Sequence, residues 1–153
     1  MQLTPKDKIL ELLAAIGLAL MLGVAAWYYG RLPETIPTHF DPNGQPDGFS
    51  QKSRIFMLPA LGLAIYVAMT LISRAPHKFN YPVTITPENK EMYYRRAAGL
   101  VRFLKAFIML LFAYIVWSTV QIALGHAKGL GWWLAILVPL ITMGSVFYLT
   151  TRK

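Results

Sequence analysis

The chain has no cysteine. That excludes disulfides, a thiol nucleophile and a thiolate metal site. Acidic residues are scarce: 7 Asp and Glu stand against 15 Lys and Arg, a formal net charge of +8. Four windows carry no charged residue: 12–29, 55–73, 106–125 and 132–149. No paired carboxylates, no Ser/His/Asp arrangement and no internal repeat are evident along the sequence. The hydrolytic chemistries that depend on such groups therefore lack their residues. A transporter usually shows more intramembrane polar groups than these windows, where Gln121 alone is strongly polar.

What is present is apolar. Hydrophobic residues make up 56% of the 153 positions, with a mean hydropathy of +0.45. The charge-free windows are 18 to 20 residues long. Each is enough to cross a hydrocarbon core about 30 Å thick at about 1.5 Å per residue. Backbone in lipid must satisfy its own hydrogen bonds, so each window reads as a helix. The sequence predicts an all-α integral membrane protein, a single domain over 1–153. Its four transmembrane helices are expected at about 5–29, 55–73, 87–124 and 132–150. An ordered loop at 31–54 joins the first two, and a connection at 74–86 joins the second to the third. The first window is read as a retained helix, because it is long, lacks an A-x-A site and precedes three more.

Basic residues set the expected orientation. Eleven of them (Lys6, Lys8, Arg74, Lys78, Lys90, Arg95, Arg96, Arg102, Lys105, Arg152 and Lys153) fall at the termini and in the second connection. Four (Arg31, Lys52, Arg54 and Lys128) fall on the other side. The excess predicts cytoplasmic termini and an extracytoplasmic 31–54 loop. Topology thus accounts for the positive charge, and no nucleic-acid partner is expected. The lipid bilayer is.

Local signals refine this picture. Thr4-Pro5 and Thr86-Pro87-Glu88 are helix starts, with a capping hydroxyl followed by proline. Trp27, Tyr28 and Tyr29 read as an interfacial aromatic belt. Glu11 is expected at headgroup level or paired with a base. Ala15, Ala19 and Gly23 in helix 1, and Ala60, Ala64 and Ala68 in helix 2, form small-residue stripes that predict a close packing seam between these helices, with a homodimer seam as the alternative. Arg95, Arg96, Arg102 and Lys105 read as a lipid-facing, snorkelling collar, with a cytoplasmic docking site as the sharper alternative. Pro139 predicts a kink in helix 4.

The 32–49 stretch, LPETIPTHFDPNGQPDGF, carries the most information. Leu32-Pro33 and Ile36-Pro37 favour extended backbone. Asp41-Pro42-Asn43-Gly44 and Pro46-Asp47-Gly48 are two turn signatures. Leu32, Ile36, Phe40 and Phe49 are expected to anchor the loop to the helix ends or headgroups. His39 and Asp47 are expected to hold it internally and to face each other. A metal site here would draw on His39, Asp41, Asn43 and Asp47, with His126 from the other outward turn. The spacing fits neither an EF-hand nor a zinc pattern, and no metal or cofactor is expected.

The run LPETIPTHFDPNGQPDGFSQKS resembles the signature L-P-x-x-I-P-x-H-F-x-x-x-G-x-P-D-G-x-x-x-K of a bacterial membrane family of unknown function. The same domain forms the N-terminal part of SdpI-type immunity proteins. The match covers Leu32, Pro33, Ile36, Pro37, His39, Phe40, Gly44, Pro46, Asp47, Gly48 and Lys52. The 79–97 stretch, FNYPVTITPENKEMYYRRA, resembles the segment before helix 3 in stand-alone members. The resemblance implies a multi-pass protein of the bacterial inner membrane with a role in toxin immunity or signalling. Those proteins also have a second module with a Gly-x-Arg-Thr-type motif, which does not occur in this sequence. The expected function is non-enzymatic recognition of a peptide, envelope component or partner protein through the loop. Two other readings stay open: an accessory subunit of a larger membrane complex, and a metal-dependent membrane enzyme.

Overall fold

The computed structural model describes residues 2–151, so Arg152 and Lys153 of the orientation count lie outside the described residues. Helix α1 spans Pro5–Tyr28. A β-hairpin follows, with β1 at Thr35–Phe40 and β2 at Pro46–Gln51. Helix α2 is Met57–Ser73, α3 is Lys90–Ala123 and α4 is Leu134–Thr151. Three segments are long and apolar enough to cross a membrane: Pro5–Arg31, Lys52–Ser73 and Lys90–Ala123. An apolar stretch in α4, Leu134–Ser145, is shorter.

Helix α1 begins as its sequence requires. Thr4 Oγ1 accepts from Asp7 N at 3.2 Å, and Thr4 N donates back to Asp7 Oδ2 at 2.9 Å, a reciprocal capping box ahead of Pro5. Helix α3 begins later than Thr86-Pro87 suggests. A turn comes first, in which Asn89 Oδ1 accepts from Thr86 N at 2.8 Å. A hydrogen bond from Thr86 also holds the Glu88 carboxyl below its ordinary pKa.

Helix α3 is central and packs along both α1 and α2. Its buried stripe runs Arg102, Lys105, Met109, Ala113, Val116 and Val120, at three- and four-residue steps. The facing stripe on α1 is Ala14, Gly17, Met21 and Ala25. At Gly17 the backbones nearly touch: a Cβ there would lie 2.8 Å from Met109 C and 2.9 Å from Leu110 N. Met21 in turn fills the space over Gly62 of α2.

The expected α1–α2 seam is therefore corrected. Ala15, Ala19, Gly23, Ala60, Ala64 and Ala68 are all exposed, and a Cβ on Gly23 would meet nothing within 4 Å. A one-residue step turns a helix by about 100°. Small residues surround much of α1, so their spacing did not select the buried face.

The all-α expectation is corrected too. Residues 35–51 pair as antiparallel strands, Thr35 opposite Gln51 and Ile36 opposite Ser50, with irregular register on either side of His39. One turn closes the hairpin. Gly44 N donates to Asp41 O and Asp41 N to Gln45 O, both at 2.8 Å, while Gly44 takes φ +78°. The second turn signature, Pro46-Asp47-Gly48, is instead the start of β2. Proline is tolerated at the first position of an edge strand.

Candidate functional site

The hairpin is fastened at both ends. At its base, Leu32 and Ile36 are buried with Ile55 in the same apolar core as Met21, Met109 and Val120. Lys52 N donates to Glu34 O at 2.9 Å, and Lys52 Nζ to Glu34 Oε1 at 2.8 Å. The same ammonium lies 5.5 Å from the centre of the Tyr29 ring. At its tip, the Gly44 carbonyl accepts from Leu130 N at 2.8 Å, joining the turn to the α3–α4 connection. A Cβ on Gly129 would lie 2.5 Å from the Gly44 oxygen, so this contact requires glycine. Leu130 is held from below by the Tyr114 hydroxyl, which donates to its carbonyl at 2.8 Å.

Within the hairpin, Asp41 organises the turn: its Oδ1 accepts from Asn43 N at 2.9 Å and Gln45 N at 2.8 Å. His39 Nδ1 and Asp47 Oδ1 are 2.5 Å apart across the strands. This pair faces outward, with 75% and 47% of the two side chains exposed. Gly48 sits opposite His39, and a Cβ on it would lie 2.8 Å from His39 Cβ. Pro37 is buried, Pro33 is exposed and Phe40 is half-buried. Phe49, expected as a fourth anchor, is corrected: it is 60% exposed and lies outside the buried core.

Two outcomes test this division of labour. His39→Ala is expected to speed hydrogen exchange between Pro37 and Gly48 only a few-fold, because solvent-exposed polar pairs add little. Gly48→Ala forces a Cβ against His39 and is expected to destabilise the hairpin by about 1–3 kcal/mol. Exchange mass spectrometry on both variants checks the order, which reverses if the His39–Asp47 contact holds the hairpin.

The second polar centre lies at the opposite end of the helices, and it corrects the lipid-facing collar. Arg102 and Lys105 are buried, with 5% and 0% exposure. Arg102 Nη1 donates to Asp7 Oδ1 at 3.1 Å. Its Nε faces Glu11 Oε1 at 3.6 Å, beyond hydrogen-bond reach. Lys105 Nζ donates to Glu11 Oε2 at 2.6 Å and to Thr70 Oγ1 of α2 at 2.9 Å. The ring of Tyr66 lies 4.8 Å from the same ammonium. The Thr70 hydroxyl in turn donates a hydrogen bond to the Tyr66 carbonyl at 2.7 Å.

Two acids and two bases thus close into a neutral network that joins α1, α2 and α3. Desolvated charge is costly unless paired, which explains why these side chains turn inward together. Arg95 pairs instead with Glu91 one turn away, at 2.9 Å and at an exposed position. Spacing could have revealed the network: Asp7 and Glu11 are four apart, Arg102 and Lys105 three apart, so each pair shares one helix face.

His126 Nδ1 lies 3.2 Å from Gln121 Oε1. Among the described residues, no group of three or more His, Asp or Glu side chains is placed to hold a metal ion.

Residues 16–63 match the family described as Domain of unknown function (DUF1648). That range holds the hairpin and the adjoining parts of α1 and α2. A protein of Archaeoglobus fulgidus, described as an uncharacterized protein, is 33% identical over 116 residues, which is 71% of this chain. The chain spans 63% of that relative's length. No solved structure matches.

Proposed function

We propose that this chain is a non-enzymatic, four-span protein of the cell membrane whose outer hairpin recognises a peptide, an envelope component or another membrane protein. The termini and the 74–86 connection lie in the cytoplasm in this reading. One observation carries it: the hairpin is clamped to the helices at base and tip, yet it holds His39, Asp47 and Phe49 outward. Folding needs the buried Leu32 and Ile36; it does not need an exposed phenylalanine beside an exposed histidine–aspartate contact. A rigid surface of this kind loses little entropy on binding. The likeness of the 32–53 run to SdpI-type proteins supports an immunity or signalling role.

A second reading, an accessory subunit of a larger complex, is favoured by the outward-facing stripes Ala15/Ala19/Gly23 and Ala60/Ala64/Ala68. Small residues permit close helix approach in lipid.

Site-specific crosslinking separates the two. A photoreactive residue replacing Phe49 is expected to give a discrete adduct in intact cells, and one replacing Ala64 is not. The opposite pattern selects the subunit reading. In the same cells a cysteine at Gln45 is expected to react with an impermeant thiol reagent, and one at Asn80 to stay protected. Reversed labelling overturns the orientation and with it the outer placement of the hairpin.

A further inference from the structure

A cleft of about 550 Å³ opens between α1, α3 and α4, at the end of the molecule away from the hairpin. Its lining is graded along the helices. Lys6, Arg95 and Arg96 stand at one end. One turn further along α1 comes Leu10, one and two turns along α3 come Leu100 and Phe103, and α4 adds Ile141 to the lining. Asp7 also borders the cleft, but its carboxylate already serves Thr4 and Arg102. Arg95 is already paired with Glu91 on the turn before, and Lys6 and Arg96 add two further cationic side chains. A mouth of basic groups thus stands over an apolar trough and forms an amphiphilic surface. A small soluble anion would satisfy only the mouth. A neutral acyl chain would satisfy only the trough.

We propose that this cleft binds one anionic phospholipid, its phosphate between Lys6, Arg95 and Arg96 and the upper part of an acyl chain along Leu100, Phe103 and Ile141. Basic side chains at a membrane surface attract anionic headgroups, and their aliphatic stems lie along apolar neighbours. Gly99 and Gly144 mark the open space: both border the cleft, and a Cβ on either would meet nothing within 4 Å. The site depends on membrane insertion and not on recognition by the hairpin.

The test uses the full chain in mild detergent, titrated with phosphatidylglycerol or with phosphatidylcholine of the same acyl chains and read by native mass spectrometry. One phosphatidylglycerol per chain is expected, bound at least about tenfold more tightly than phosphatidylcholine. The Lys6→Gln/Arg95→Gln/Arg96→Gln variant is expected to lose that preference. The Gly99→Leu/Gly144→Leu variant, which keeps every cation and fills the trough, is expected to lose the bound lipid. Thermal unfolding of each variant confirms that it is folded. Equal binding of the two lipids by the unmodified chain overturns the proposal. So does a preference that survives filling the trough, which would leave only a charged surface.

Discussion

Glu11→Gln is expected to destabilise the protein by about 3–5 kcal/mol, the range for removing one partner of a buried ion pair. The reason is Lys105. Its ammonium has no exposure, and apart from Glu11 its neighbours are the Thr70 hydroxyl and the Tyr66 ring. Neither supplies a full negative charge. The reverse change, Lys105→Met, is expected to cost less. Glu11 keeps 27% side-chain exposure and still has Arg102 at 3.6 Å. Removing both, in Glu11→Gln/Lys105→Met, eliminates the orphaned charge and leaves Arg102 with Asp7. A double-mutant cycle of detergent unfolding should therefore show a coupling of at least about 2 kcal/mol, toward the upper end of what contacting pairs give. Additive losses would mean that the pair is solvated and that other contacts join α1 and α3.

A second large effect is expected at Gly17. Its absent side chain lets α1 lie against the backbone of Met109 and Leu110, atoms that cannot rotate away. Gly17→Ala is expected to cost about 1–3 kcal/mol by overpacking, and Gly17→Leu more. Gly23, on the same helix with open space around it, provides the contrast. Gly23→Ala should be neutral or stabilising by up to about 1 kcal/mol, the difference in helix propensity. Opposite signs at two glycines of one helix would locate the buried face without a further structure. Gly62 is expected to fall between them, because the atom in its way is the flexible end of Met21. Equal effects at Gly17 and Gly23 would place the α1–α3 contact elsewhere.

The sequence by itself determined that the chain is mostly helical and apolar, because charge-free windows of this length leave the backbone few other ways to satisfy its hydrogen bonds. It also showed where structure is punctuated: Thr4-Pro5 caps a helix, and Asp41 to Gly44 make a turn. Each of these signals is carried by residues within one turn of each other, so no tertiary partner is needed to read them. The hairpin was only half legible. The X-Pro steps announced extended backbone, but Pro46-Asp47-Gly48 looks like a turn until Gly48 is seen lying across from His39. Cross-strand space is a property of two segments. The small residues left the buried helix face to the tertiary structure, and only the spacing of Asp7 with Glu11 and of Arg102 with Lys105 pointed to it. Small residues surround α1, and spacing cannot choose among them. The choice follows from Asp7 and Glu11, which must reach Arg102 and Lys105 some ninety positions away, and from Gly17, which lets the two backbones approach closely enough for them to meet.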